Sequence, residues 1–188
     1  MANRELPSPE TLRKLLRYEP ETGRLYWLER DGSCFSDGFR TAKHQAALFN
    51  STFAGKEAFN TLHQEGYLRG RVLNKTQAAH RVAWAIYYGT WPVGEIDHIN
   101  GNPSDNRIEN LREVCHQENG RNQKLPVNNS SGVMGVYYNK QTRKWIACIS
   151  NGGARRHLGS FSEFDEAVAV RKRAERTYGY HENHGRVL

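Results

Sequence analysis

The stretch from Gly94 to Asn119 limits what this chain can fold into more than any other. Asp97 and His98 are adjacent at the end of a short run, Val93 to Ile96, that reads as a strand. A turn-rich segment follows, Asn100-Gly-Asn-Pro-Ser-Asp105-Asn106, then a second short strand from Asn110 to Val114 and a polar helical stretch from His116 to Lys124. Strand, loop, strand and helix in so few residues can bring Asp97, His98 and Asn119 together. Adjacent residues on a regular strand point to opposite faces, so Asp97 and His98 can share a site only where the strand ends and the backbone turns. Asn100-Gly101, a strong turn dipeptide, sits where that turn is needed.

The residue types point to one kind of chemistry. The carboxylate of Asp97 and the amide oxygen of Asn119 are hard donors, and with phosphate oxygens they suit Mg²⁺ or Mn²⁺ rather than Zn²⁺, which prefers closed Cys/His sets. Such a cation would stabilise the charge on a phosphodiester under attack. His98, with an ordinary pKa near 6.5, can deprotonate the attacking water. Taken singly, Asp97 reads as a turn cap, His98 as a surface histidine and the asparagines as loop formers. It is their convergence that favours the catalytic reading.

Charge placement agrees. The formal net charge is +7. From Asn119 to Leu158 the basic residues Arg121, Lys124, Lys140, Arg143, Lys144, Arg155 and Arg156 stand with no Asp or Glu among them. They are interleaved with Val136, Tyr137, Tyr138, Trp145 and Ile146, so the span should fold and present a basic face to a polyanion, nucleic acid ahead of membrane. No apolar run approaches membrane-spanning length, and Met1 to Glu10 is polar, so a soluble, cytoplasmic protein is expected. Cys34, Cys115 and Cys148 are far apart with no CxxC spacing, which argues against a disulfide scaffold or zinc ribbon and fits a reducing compartment.

Taken in order, Ser8-Pro9-Glu10 starts a helix carrying Leu12, Leu15 and Leu16 that should stop before Pro20. Thr22-Gly23 leads into a strand from Arg24 to Leu28. Residues 29–53 read as loop and 54–79 as β structure with a turn at Asn74-Lys75. His80 to Tyr88 is a helix with an apolar stripe of Val82, Ala83, Ile86 and Tyr87, stopped by Gly89; His80 reads as a packing histidine. Pro126 to Gly132 reads as a linker. Strands at Met134–Tyr138, Trp145–Ile149 and Arg155–Leu158, with turns at Asn139–Thr142 and Asn151-Gly152-Gly153, make an antiparallel meander, in which Trp145 is expected to pack in the core. Ser162-Glu-Phe-Asp165 opens a covering helix with Phe164, Ala167, Val168 and Ala174 inward and Arg171, Lys172 and Arg176 outward, closed by Gly179.

Ile96-Asp97-His98-Ile-Asn-Gly-Asn, Asp105-Asn106-Arg, Glu109-Asn110-Leu-Arg and Glu118-Asn119 together closely resemble the HNH endonucleases, particularly the phage and intron-borne homing type. The resemblance implies a ββα-metal fold with Asp97 as metal ligand, His98 as general base, Asn110 bracing the loop between the strands, and Asn119 as the second ligand, with Asn122 one turn further along as the alternative. It extends loosely to Tyr18–Trp27 and to the helix at His80. The C-terminal pattern is similar to a second family. Ser131-Gly-Val-Met-Gly135-Val-Tyr-Tyr, Lys144-Trp145-Ile-Ala, Arg156-His-Leu-Gly159-Ser-Phe161 and Glu166-Ala-Val-Ala resemble the Apetala-two domain of plant ethylene-response factors, whose three-stranded sheet lies in the DNA major groove. Matched by motif, Tyr137, Asn139, Lys144, Arg155 and His157 would face DNA, with Lys140, Arg143 and Arg156 adding charge. Tyr137 and Asn139 stand where the plant pattern has arginines, and His157 where it has tryptophan, so the docking mode carries over and base specificity does not.

The expected architecture is α+β. A nuclease unit over residues 1–125, with its ββα-metal core near 92–124, precedes a linker at 126–132 and a DNA-binding sheet and helix at 133–180. The expected function is a metal-dependent DNA endonuclease or nickase using Mg²⁺ or Mn²⁺, acting on double-stranded DNA as a monomer. A non-catalytic DNA-binding regulator is the rival class, and an RNA-binding protein using the basic aromatic sheet is a third.

Overall fold

Ser8 caps the first helix by accepting a hydrogen bond from the Thr11 amide at 3.2 Å, with Pro9 at the first helical position. The computed structural model describes residues 6–151 and 153–186, and these divide into two compact units, Met1–Glu113 and Val114–Leu188. In the first unit, helix α1 (Pro9–Leu15) ends five residues before Pro20, earlier than the proline alone demands. Leu16–Glu19 forms strand β1, because Leu16 and Tyr18 alternate into the core and the segment pairs antiparallel with β2 (Arg24–Trp27). The ladder outweighs local helix continuation.

The loop expected over 29–53 is half wrong. Residues Ala42–Phe53 form helix α2, capped by Thr41 through the His44 amide. Its apolar residues divide between exposed positions (Ala47, Leu48, Phe53) and covered ones (Ala42, Ala46, Phe49), so the sequence period is faint. What orders it is aromatic contact, with Phe49 within 5.2 Å of Phe53, 5.8 Å of Trp27 and 6.1 Å of Phe35, centroid to centroid. Short strand β3 (Glu57–Ala58) pairs with β2, and β4 (Thr61–Leu62), β5 (Leu68–Val72) and β6 (Lys75–Ala78) form a second antiparallel sheet. Helix α3 (Ala79–Tyr88) follows directly and stops at Gly89 in the left-handed region, φ 76°. Leu12, Leu16, Leu25, Val72, Val82 and Ala83 are the fully buried centre of this unit. Strands β7 (Glu95–His98) and β8 (Leu111–Val114) form a two-stranded sheet at its end.

The second unit begins with the single-turn helix α4 (His116–Asn119), prolonged by a 3-10 turn at Gly120–Asn122. The meander is β9 (Val136–Asn139), β10 (Lys144–Asn151) and β11 (Ala154–Phe161), with β10 central. Of the turn expected at Asn151-Gly152-Gly153, Gly152 lies outside the described residues. Helix α5 (Phe164–Thr177) packs Phe164, Ala167 and Val168 against Val136, Trp145, Ala147, Leu158 and Phe161. Its cap residue is Glu163 rather than Ser162, and no side chain closes the cap.

Arg171, expected outward, is 3% exposed. Its guanidinium donates to Glu175 Oε1 at 2.9 Å, to the Cys148 carbonyl, and to His184 Nε2 at 3.2 Å. It thereby ties helix, sheet and C-terminal tail together. The tail also pairs with the start of the unit: His181 N donates to Arg121 O at 3.2 Å, Gly185 N to Gln123 O at 2.8 Å, and Leu125 N to Arg186 O at 3.0 Å. The segment 126–132 is a hydrogen-bonded loop of this unit, Asn129 Oδ1 accepting from the amides of Ser131 and Gly132. Among the described residues no helix is long and apolar enough to cross a membrane.

Two stability outcomes follow. Arg171→Ala leaves a buried Glu175 carboxylate without its main partner, and should lower unfolding free energy by about 3–5 kcal/mol in denaturant titrations. Burial holds the His184 imidazole down to about 4. The unfolded chain, titrating near 6.5, then binds more protons between those values. Stability from this group is full above about pH 6.5 and is lost as pH falls toward about 4. His184→Gln should flatten that part of the pH–stability curve.

Candidate active site

The site is built where β7 ends. Asp97 and His98 are 6% and 4% exposed, and His98 is the last residue of its strand. The backbone turns at once: Gly101 N donates to His98 O at 2.7 Å, with Gly101 at φ 72°. A side-chain scaffold holds the loop beyond. Asn110 donates from Nδ2 to the Asp105 carbonyl at 2.8 Å and accepts the Asn100 amide on Oδ1 at 2.9 Å, so one side chain spans the loop from entry to exit. Ile99 N donates to Asn110 O at 2.9 Å and closes its base. Asp105 is gripped by the Arg107 guanidinium at 2.7–2.9 Å and by Asn100 Nδ2 at 2.7 Å. These bonds, Arg107 foremost, hold its carboxyl down to about 2.

Asn106 is the residue the loop delivers. It is 2% exposed, and its Oδ1 lies 3.2 Å from His98 Nε2. The N-terminal hairpin presses the loop into place: the Tyr18 hydroxyl donates to the Asn106 carbonyl at 2.7 Å, and Ile108 N donates to Pro20 O at 3.0 Å. Gly23, at φ 74°, lies so close that a Cβ there would stand 2.5 Å from Arg107 N, which leaves room for no other residue.

Two further rings wall the imidazole. His80 meets His98 edge-on at 5.1 Å and 87°, and Tyr67 lies 5.7 Å from His98 and 5.1 Å from His80. Tyr67 is fixed because the preceding Gly66 packs on the Pro103 ring. Burial lowers the pKa of His98, only partly opposed by the Asn106 hydrogen bond and the charge of Asp97. Burial pushes His80 down further, to about 3, and its Nδ1 has no hydrogen-bond partner among the described residues. Both rings are therefore neutral near pH 7. Beside them, Arg112 donates to Asp97 Oδ2 from Nε at 2.8 Å and from Nη2 at 2.7 Å.

Asp97, His98 and Asn110 thus belong to the first unit, while Asn119 and Asn122 belong to the second. Asn122 is 4% exposed, and its Oδ1 accepts from Arg186 Nη1 at 2.9 Å. Among the described residues no cluster of three or more His, Cys, Asp or Glu is arranged to hold a metal ion. Sequence reading missed Asn106, Arg112, Tyr67 and the contact of His80 with His98. Asn106 and Arg112 lie inside the motif, but Tyr67 reaches the site only through tertiary folding.

On the sheet of the second unit, register sorts the basic residues. Trp145, Ala147 and Ile149 face α5, so Tyr137, Asn139, Lys144, Arg155 and His157 share the opposite face. The Arg155 guanidinium lies 5.3 Å from the Tyr137 ring centre, and its Nε and Nη2 reach Cys148 Sγ at 3.2 and 3.0 Å. Arg156 pairs across from Ile149 on the helix side, near the Tyr178 ring. Lys140 and Arg143 are exposed in the turn between β9 and β10, Arg143 at φ 53°.

Residues 77–121 match the family model of the HNH endonucleases, a span that contains Asp97, His98, Asn106, Asn110 and Asn119. The chain thus carries an HNH endonuclease domain over residues 77–121. It is similar to Protein 3.8 of Escherichia phage T7, at 33% identity over 87 residues, which is 46% of this chain and 72% of that protein. No solved structure matches it.

Asn110→Ala removes both bonds that span the loop and leaves a partly buried carbonyl and amide without their side-chain partner. The expected loss is about 1–3 kcal/mol per group left unsatisfied, read as a lowered denaturation midpoint.

Proposed function

We propose that the protein is a metal-dependent DNA endonuclease that hydrolyses phosphodiester bonds with His98 as general base. The observation that carries this reading is the His98 imidazole at the end of β7, buried, neutral and oriented by Asn106, with the Asp97 carboxylate next to it. Asn106 Oδ1 accepts from Nε2–H, which leaves the basic lone pair on Nδ1 to take a proton from water. His80 and Tyr67 keep bulk water from the ring and hold its plane.

The donor chemistry fits a hard divalent cation. Asp97 would supply a carboxylate oxygen and Asn119 an amide oxygen, hard donors of the kind that Mg²⁺ or Mn²⁺ accepts together with phosphate oxygens and water. When bound, the cation supplies charge stabilisation for the crowded phosphate and the departing oxygen. Arg112, already on Asp97, keeps that carboxylate oriented. The exposed sheet face of Tyr137, Asn139, Lys144, Arg155 and His157, a tyrosine among cations and hydrogen-bonding groups, is the DNA-docking surface of the second unit.

Relaxation of supercoiled plasmid with Mg²⁺, Mn²⁺ or EDTA tests the activity. His98→Ala should slow nicking by roughly two to four orders of magnitude while DNA affinity holds, as expected for loss of a positioned base. Equal rates for His98→Ala and the parent would refute the assignment. Asp97→Ala and Asn119→Ala should each weaken Mn²⁺ binding in calorimetric titrations with uncleaved DNA. Asn122→Ala should leave it intact, because Arg186 engages its side-chain oxygen.

A further inference from the structure

The sheet of the first unit carries a second basic face that the docking surface above does not include. Along β5 successive side chains take opposite faces. Val72 is 1% exposed in the core and Leu68 packs against that core. Gly70 faces the same way, pressed so tightly on Phe59 that a Cβ would stand 2.6 Å from its ring and 2.8 Å from its Cα. Side chains alternate along a strand, so Arg69 and Arg71 emerge on the opposite face, in step with Tyr67 just before the strand.

Their neighbours leave them uncovered. Across the ladders Arg69 stands between Thr61 and Ala78, and Arg71 opposite Thr76, all short side chains. Arg71 is exposed and has no ion-pair partner among the described residues. Among the described residues Arg69 pairs with Glu65 at 3.5 Å, the two side chains being 39% and 64% exposed. Such a pair contributes at most about 1 kcal/mol and exchanges readily for a better anion.

The row also starts in the active site. Tyr67 touches His80 and His98, and the positive charge of Arg69 is one of those that disfavour protonation of His80. Side chains two residues apart on a strand are spaced about 6.5–7 Å, comparable to the separation of successive phosphates along one nucleic-acid strand.

We propose that Arg69 and Arg71 form a phosphate-binding track in the nuclease unit, gripping the DNA backbone directly beside the bond to be cut. It rests on the endonuclease reading. The track makes the nuclease unit a DNA binder in its own right, with the ligand recognised as a run of backbone phosphates and not as base sequence. Guanidinium is suited to this, since it offers phosphate two parallel donors.

The test uses the full chain and a fluorescein-labelled duplex in EDTA, with binding followed by anisotropy across a salt series. Arg69→Gln/Arg71→Gln should flatten the log–log salt dependence by about 0.9 per lost phosphate contact, roughly two units in all. Arg69→Lys/Arg71→Lys keeps the charges and should restore most of the slope, which a merely structural role would not produce. Lys144→Gln, on the other unit, serves as the comparison. If the double glutamine variant keeps parental affinity and slope while Lys144→Gln loses slope, the track is refuted and DNA binding belongs to the second unit alone. If the parent protein shows no salt-dependent binding to the duplex at all, the endonuclease reading itself fails.

Discussion

Everything in the candidate site hangs on the hydrogen bond between His98 Nε2 and Asn106 Oδ1. It joins the end of one strand to a loop eight residues on, and a loop so rich in turn residues would not hold that position alone. Asn110 ties the loop across its middle, and Arg107 clamps Asp105 beside it. The N-terminal hairpin then presses on the outside through Tyr18, Pro20 and Gly23. Residues far away in sequence therefore set the imidazole, and the N-terminal hairpin is a brace for the loop of the candidate site.

The electrostatics of the site separate neutral from charged groups by depth. The rings of His80, His98 and Tyr67 form a dry wall in which burial disfavours an imidazolium. The charged partners Arg107, Asp105, Arg112 and Asp97 are paired with one another around it. An imidazole kept unprotonated at neutral pH and a carboxylate held by an arginine are the two states that the proposed water activation and cation binding would require. In the second unit the same economy appears in a structural role: Arg171 is buried, yet each direction of its guanidinium meets an acceptor. That saturation is what makes a buried cation tolerable under a sheet of only three strands.

Much of this was legible in the sequence. The motif from Asp97 to Asn119 named the candidate residues, because a carboxylate, a histidine and spaced asparagines around an Asn-Gly turn suggest one site. The cap at Ser8, the stop at Gly89 and the meander with Trp145 packed beneath it also follow from local rules. Helix α2 was not legible, since its order comes from Phe49 meeting Trp27 and Phe35, contacts made across the fold.

Sequence alone determined the chemistry on offer: which side chains could act, that a turn must follow His98, and that the later part of the chain is basic. Only tertiary structure decided which groups surround the base. Tyr67 and His80 reach His98 because a glycine packs on Pro103 and a helix begins where β6 ends. Nor could local pattern reveal that Arg171 turns inward, or which of Arg155 and Arg156 lies on the helix side. A helical period tolerates a charge on its inner face when partners wait there, and an extra residue in β11 between Gly159 and His157 resets which side chains share a face. Those outcomes depend on partners distant in sequence, and no local signal carries them.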